Sequence, residues 1–196
     1  MNIFVLDQDP RIAAQMYCDK HVPKMVVELY QQMGSAMRRA GVEDALMPLT
    51  KKGTPLKGGY HNHPCTRWVG DNRKNFCWAA EHALALCDEY TKRFGKKHFC
   101  EDGIEQMLDL HLEYGILPKG SFTPFALAMP DEFRPVSCHI KEGYLLHASG
   151  DTAVQAYRRY YHSKTFAKWE KGTDAPDWWK GIEADSIYGK RIYEVA

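Results

Sequence analysis

The fold is decided first by DNRKNFCWAAEHALALCDEYTKRFG, residues 71–95. Apolar residues recur there at three- and four-residue spacing, which gives a helix one face to bury. That face comprises Phe76, Ala79, Ala80, Ala83, Leu84, Leu86 and Cys87. Asp71 is predicted to cap the start, because a carboxylate can accept hydrogen bonds from the first free amides of a helix. Gly95 is predicted to end the helix, since glycine readily adopts the left-handed conformation found at helix ends.

Similar patterns predict further helices on either side of this one. The first begins at Asp9 and Pro10 and runs to about His21. A kink or break is then expected at Pro23, because proline lacks the amide that a continuing helix needs. The remaining helices are expected from about Val26 to Gly41, from Asp102 to Glu113, and from Asp151 to about Gly172.

The rest of the chain is expected to be irregular. The opening NIFVL is either one short strand or an extended, buried arm, and the four prolines of residues 116–150 leave room for one short hairpin. We find no repeat and no linker long enough to separate two domains. The expected fold is therefore mainly α: a single compact helical bundle over residues 1–196, with long irregular loops.

Composition limits the class of protein. The 196 residues are 44% hydrophobic and 26% charged, which suits one core and excludes a disordered chain. No run of about 18 apolar residues and no signal peptide is present, so we expect a soluble, cytoplasmic protein. The six cysteines form no Cys-x-x-Cys pair, which favours reduced thiols over a disulfide framework. They are Cys18, Cys65, Cys77, Cys87, Cys100 and Cys138.

The net charge of +1 hides an uneven distribution of charge. Residues 51–74 carry six basic side chains against one acidic side chain, whereas residues 81–113 carry eight acids against four bases. The last predicted helix combines bases with aromatic rings, and this combination suits nucleic acid, because cations neutralise phosphates and rings stack on bases. An ordinary amphipathic helix with a solvated basic face is the alternative.

The densest group of reactive side chains surrounds the break expected at Pro23. It consists of Cys18, Asp19, Lys20, His21, Lys24 and Glu28. A lysine at such a junction can act as a nucleophile or as an electrostatic clamp. Asp19 or Glu28 could stabilise a developing sugar cation or move a proton. In the alternative interpretation, Asp19 caps the second helix and Lys20 is simply solvated.

A second group, His61-Asn62-His63-Pro64-Cys65, follows the pair Gly58-Gly59. The glycines let the backbone approach a ligand closely, so contacts from His61 and His63 to phosphate or base are expected. Zinc is the lesser alternative, with Cys65, or the distant His98 and Cys100, completing the ligands. A histidine that caps the next helix is another. No motif for a cofactor is present, and none is expected.

Five blocks of sequence together resemble a protein family common in bacteriophage genomes. The blocks are NIFVLDQDPRIAAQMYCDKHVPKM, HNHPCTRW, CDEYTKRFGKKH, FTPFALAMPDEF, and AYRRYYHSKTFAKW with PDWW. More distantly, QMYCDKHVPKM and NFCWAAEHALALCDEYTKRFG are similar to segments of the phage pyrimidine-dimer DNA glycosylases of the endonuclease V type.

That resemblance implies a helical bundle that cuts the glycosidic bond of a damaged pyrimidine and then breaks the strand by β-elimination. It implies an amino-terminal amine as nucleophile, assisted by a carboxylate on the first helix, and Asp19 lies nearest to that position. Asp19 is one methylene shorter than the family's glutamate, and Asn2 is bulkier than residues that usually permit removal of Met1. Lys20 or Lys24 is therefore an alternative amine.

The leading hypothesis is a DNA-acting enzyme that processes a pyrimidine nucleotide extruded from duplex DNA. Its catalytic candidates are Asp19, Lys20, His21, Lys24 and Glu28. Its candidates for binding DNA are His61, Asn62, His63, Trp68, Arg73, Arg158, Arg159, Tyr160, Lys164 and Trp169. The alternatives are a non-catalytic phage accessory or anti-defence protein, and a metal-dependent hydrolase that uses His61, His63 and Cys65.

Overall fold

The computed structural model describes residues 2–135, 139–141 and 145–181, and this part of the chain is mainly helical, as predicted. The α-helices are α1 (Pro10–Gln15), α2 (His21–Arg39), α3 (Pro64–Val69), α4 (Arg73–Phe94), α5 (Glu101–Tyr114) and α6 (Gly150–His162). Two short 3₁₀ turns lie at Asp44–Leu46 and Asp131–Phe133. None of the helices in the described ranges has the length and hydropathy of a membrane span.

A small antiparallel sheet accompanies the helices. Its strands are β1 (Phe125–Ala126), β2 (His139–Lys141) and β3 (Leu145–Ala148), in the order β1-β3-β2. Strands β2 and β3 pair as the one short hairpin for which residues 116–150 leave room.

The junction between α1 and α2 differs from the prediction. Asp9 caps α1 as expected, accepting from the amides of Arg11 and Ile12 at 2.8 and 3.1 Å. The helix ends at Gln15, however, and the break falls before α2 rather than at Pro23. Pro23 lies in the first turn of α2, where the amide that proline lacks would have no partner within the helix.

Two other predicted helix boundaries are wrong. Asn72, rather than Asp71, caps α4, because its side chain accepts from the amides of Lys74 and Asn75. Helix α6 ends at His162, ten residues before Gly172, and residues 163–181 have no regular secondary structure. Gly95 ends α4 in the left-handed conformation, at φ 68°, as predicted.

The core lies between α2 and α4, and the amino-terminal segment runs through it. Residues 3–6 are at most 5% exposed and are not part of a strand, so the segment is an extended, buried arm. The Tyr17 hydroxyl holds the arm in place, since it accepts from the amide of Phe4 at 2.9 Å and donates to its carbonyl at 2.8 Å. This arm positions the start of the chain against α2. Five cysteines are free thiols, and Cys138 lies outside the described residues.

Candidate active site

Asn2 is fixed at the end of the buried arm. It is 7% exposed, and its side-chain amide donates to the Ala128 carbonyl at 2.6 Å. Its Oδ1 accepts from the Ile3 amide at 2.8 Å and from the Cys65 thiol at 3.6 Å. The side chain therefore ties the start of the chain to α3 and to the segment after β1.

Glu28 on α2 meets the start of the chain. Its Oε2 accepts a hydrogen bond from the backbone nitrogen of Asn2 at 2.8 Å. Its Oε1 lies 3.4 Å from Nζ of Lys24, one helical turn earlier. The carboxylate is 12% exposed and the lysine side chain is 61% exposed, so solvent reaches the site from the lysine side. Met1, which carries the amino-terminal amine if it is not removed, lies outside the described residues.

His63 lies beside this carboxylate with one tautomer favoured. It caps α3, because its Nδ1 accepts from the amide of Cys65 at 3.2 Å. The proton of the neutral ring must then be on Nε2, which is left to donate. Burial lowers the pKa of His63, and the negative charge of Glu28 acts in the opposite direction. The capping alternative for this histidine is therefore realised, in a position that also senses Glu28.

Residues 58–63, here called the 58–63 loop, follow the surface of α2 toward Glu28. The Ser35 hydroxyl accepts from the Gly59 amide at 2.8 Å and lies 2.9 Å from the Gly59 carbonyl. Gly58 has φ +78°, and a Cβ there would lie 2.4 Å from the backbone nitrogen of Ser35, so only glycine fits. His61 and Asn62 are exposed at the tip of this loop.

Three lysines, here called the lysine cluster, surround His21 next to the same site. They are Lys20, Lys24 and Lys164, whose charges add to the effect of burial in lowering the pKa of His21. Nζ of Lys20 lies 4.5 Å above the Phe166 ring, and Nζ of Lys164 lies 3.4 Å above the Tyr160 ring. The cluster thus combines three cations with two aromatic rings, which is a combination that binds phosphates and bases.

His21 itself is buried under the lysine cluster. It is 3% exposed, its Nδ1 lies 2.8 Å from the Tyr161 hydroxyl, and its ring stacks on Phe4. Burial, with the three neighbouring lysines, lowers its pKa to about 3. A neutral, enclosed imidazole cannot hold a phosphate, so this ring supports the site from beneath.

Asp19 occupies a different position from Glu28. Its Oδ1 accepts from Nη1 of Arg93 at 3.2 Å, and its Oδ2 accepts from the amide of Glu170 at 2.6 Å. The Arg93 side chain is fully buried and also meets Glu89 at 2.7 Å. The Asp19 carboxylate therefore links α4 to the segment after α6.

Several DNA-binding candidates serve the fold. Trp68 is 2% exposed in the core. Arg158 donates to the Leu6 carbonyl at 2.8 Å, and Arg159, 3% exposed, donates to the Glu132 carbonyl at 2.7 Å.

The other DNA-binding candidates are more accessible. Trp169 is half-buried, and its indole donates to the Met16 carbonyl at 3.3 Å. Arg73 is exposed at the first position of α4, and Tyr160 is half-buried beneath Lys164.

The metal alternative finds no support in the described part of the chain. No group of three His, Cys, Asp or Glu side chains there could hold an ion. Cys65 is 1% exposed and points to Asn2, whereas His61 is exposed on the loop. Burial raises the pKa of the Cys65 thiol to about 11, which opposes the thiolate that a metal needs.

Sequence reasoning ranked Asp19 above Glu28 and did not include Asn2. A signal was present, since the buried arm leads to Asn2. What the sequence lacked was the register between that arm and α2, which depends on tertiary packing.

The fold thus presses its amino-terminal arm against the Glu28 carboxylate, beside the exposed Lys20 and Lys24. The family model of the pyrimidine dimer DNA glycosylases matches residues 1–102, just over half of the chain. The protein therefore belongs to the pyrimidine dimer DNA glycosylase family, and the match includes Asn2, Glu28 and His63. Searches of the curated proteins and of the solved structures found no match.

Proposed function

We propose that the protein is a DNA glycosylase with lyase activity that removes a pyrimidine base extruded from duplex DNA. One observation carries this proposal: the Glu28 carboxylate lies between the backbone nitrogen of Asn2 and the amine of Lys24. A carboxylate between two nitrogen positions at a solvent-accessible edge can accept the proton that an attacking amine must lose. The membership of the family supports the same reaction.

The proposed chemistry uses a primary amine as nucleophile. The amine attacks C1′ of the deoxyribose, and the base departs with the electron pair of the glycosidic bond. The C1′–O4′ bond of the resulting aminal then breaks, O4′ takes up the proton that Glu28 received, and an iminium forms between amine and sugar. β-Elimination follows, in which loss of a C2′ proton expels the 3′ phosphate. In this proposal Glu28 accepts the proton of the amine and stabilises the cationic sugar, while Nε2 of His63 donates a hydrogen bond to the leaving base.

Two amines are candidates for this role. One is the amino terminus, either at Met1 or, if Met1 is removed, at the Asn2 nitrogen that already contacts Glu28 at 2.8 Å. The other is Lys24, at 3.4 Å. Lys20 lies instead against Phe166, with its Nζ 4.5 Å from the centre of the ring.

The grip on DNA is assigned to the lysine cluster and the exposed tip of the 58–63 loop. The cluster neutralises phosphates, and the exposed His61 and Asn62 contact the backbone next to the extruded nucleotide. In this proposal Arg158 and Arg159 do not bind DNA, because their guanidinium groups donate to backbone carbonyls of the protein.

Borohydride trapping tests the function. Borohydride reduces an iminium to a stable amine, so the protein should become covalently linked to duplex DNA that carries a pyrimidine dimer or an abasic site. Peptide mapping of the adduct then identifies the amine. Lys24→Arg keeps the charge, and it should leave trapping intact if the amino terminus reacts and abolish it if Lys24 reacts. No adduct on any lesion, with binding retained, would favour the accessory-protein alternative.

A further inference from the structure

The 58–63 loop displays one large aromatic side chain that the proposed chemistry does not use. Tyr60 is 65% exposed, although burial of a tyrosine ring away from water is favourable. It also has φ +54°, a left-handed conformation that costs a residue with a side chain about 1–2 kcal/mol. The fold thus holds an apolar ring in solvent and uses a strained backbone to do so.

The position of Tyr60 follows from the contacts of its neighbours along one stripe of α2. Lys24, Glu28, Gln31 and Ser35 recur at three- and four-residue spacing, so they share a helix face. Gly58 lies on Ser35, and a Cβ at Gly59 would lie 3.4 Å from Oε1 of Gln31. The loop therefore advances along α2 toward Glu28.

The end of the loop brings Tyr60 beside the candidate active site. The His63 amide donates to the Tyr60 carbonyl at 2.9 Å, which closes a tight turn between the two residues. His63 in turn senses the charge of Glu28. Tyr60 is thus one turn away from the residues to which the reaction is assigned, and both ends of its loop are anchored.

We propose that Tyr60 is a wedge that enters the base stack of duplex DNA and fills the space left by the extruded nucleotide. The inference rests on the proposed function. Extrusion costs several kcal/mol of lost pairing and stacking, and an apolar side chain between base steps recovers part of it. Because hydrogen bonds at Gly59 and His63 anchor the backbone on both sides of Tyr60, the loop itself has little conformational freedom to lose on insertion.

The test measures binding rather than chemistry. Tyr60→Asn removes the ring and retains a residue that tolerates positive φ, so the loop keeps its shape. By fluorescence anisotropy, this variant should bind a lesion-containing duplex about tenfold or more weakly, because base–aromatic stacking is lost. Its affinity for the same lesion in a single strand should be unchanged, since a single strand has no duplex to open.

Two further variants complete the experiment. Tyr60→Trp should bind the duplex as wild type does. Tyr114→Asn, which removes an equally accessible ring at the end of α5 (63% exposed), should change neither affinity. Equal losses of Tyr60→Asn on duplex and single strand would overturn the wedge and assign Tyr60 to the extruded nucleotide. No loss on either would overturn it as well.

The outcomes separate this inference from the proposed function. If the preference for duplex DNA depends on Tyr60 but no borohydride adduct ever forms, the wedge is supported and the glycosylase function is contradicted. If the adduct forms but the preference for duplex DNA does not depend on Tyr60, the glycosylase function is supported and the wedge is contradicted.

Discussion

Two carboxylates, only nine positions apart in the chain, have environments that suit opposite tasks. Asp19 accepts hydrogen bonds from a fully buried arginine and from a backbone amide, so its carboxylate stabilises the folded structure. Glu28 accepts from Asn2 and from a lysine that is itself mostly in solvent. A carboxylate that must take up a proton during each turnover has to remain close to water and amine, and Glu28 meets that condition.

The structural role of Asp19 yields a prediction for stability. Asp19→Asn should lower the free energy of unfolding by about 1–3 kcal/mol, because hydrogen bonds to the buried charge of Arg93 are weakened. Urea denaturation measures this loss. Asp131→Asn, at a carboxylate that is 91% exposed, is the matched control and should be nearly neutral. A neutral Asp19→Asn would contradict the structural assignment.

The buried histidines predict a dependence of stability on pH. Burial lowers the pKa of His21 to about 3 and that of His82 to about 4, whereas the unfolded chain protonates histidine near 6.5. The unfolded state therefore binds more protons between these values, and stability should fall as pH drops below about 6.5. The slope is about 1.4 kcal/mol per pH unit for each histidine.

Urea denaturation at a series of pH values checks this prediction. His21→Gln keeps an acceptor for the Tyr161 hydroxyl and removes one titrating group. It should therefore reduce the slope of unfolding free energy against pH by about 1.4 kcal/mol per pH unit. A stability that increases on acidification from pH 6.5 to 4 would contradict the burial of these rings.

At the scale of elements, the close packing of the 58–63 loop on α2 depends on Gly58. Gly58→Ala should destabilise the protein and reduce activity, because the new Cβ meets the backbone of Ser35 and the loop has to move away from α2. Gly53→Ala is the matched control, since Gly53 has φ +72° and open space around its Cβ position.

The two substitutions separate the cost of backbone strain at positive φ from the effect of moving the 58–63 loop away from α2. Gly53→Ala should cost only the backbone strain, about 1–2 kcal/mol, and leave turnover unchanged. Gly58→Ala should cost more and should also lower kcat/KM, as measured by thermal unfolding and by steady-state cleavage of a lesion duplex. Equal effects of the two substitutions would mean that the loop does not position the site.

The success of sequence reasoning at this scale depended on whether the signal was local. The helix end at Gly95 was predictable because a glycine in the left-handed conformation is a property of a few consecutive residues. The end of α6 at His162 was not, because the basic and aromatic residues beyond it continue the same spacing. The residues beyond α6 instead make tertiary contacts that the sequence pattern does not show, such as the hydrogen bond from Trp169 to the carbonyl of Met16 just after α1.

At the scale of the whole molecule, the charge pattern indicated nucleic acid but did not locate the surface. Arg158 and Arg159 stand out in the sequence, yet both guanidinium groups serve the fold. Lys20, Lys24 and Lys164 come from two distant segments and converge only in three dimensions. Such convergence has no signature in the linear sequence, so the family resemblance and the helical class were predictable while the lysine cluster was not.

The lysine cluster predicts the salt dependence of binding. Lys20→Gln and Lys164→Gln should each reduce the slope of log affinity against log salt concentration by about one, as expected when one phosphate contact is lost. Titrations of duplex DNA at several salt concentrations measure the slope. Lys97→Gln is the control, because Lys97 pairs with Asp102 at the start of α5, and its slope should equal that of wild type. Unchanged slopes for all three variants would place the DNA on another face.

The central claim is that the carboxylate of Glu28 performs the proton transfer. The most direct test is the single-turnover rate of base release from a lesion duplex under conditions where all of the DNA is bound. Glu28→Gln preserves the size of the side chain and should lower this rate by about 10²–10⁴-fold, while Asp19→Asn, measured on folded protein, should remain within a few fold of wild type. A Glu28→Gln protein that releases the base at the wild-type rate, or an Asp19→Asn protein that is inactive while folded and bound, would contradict the account.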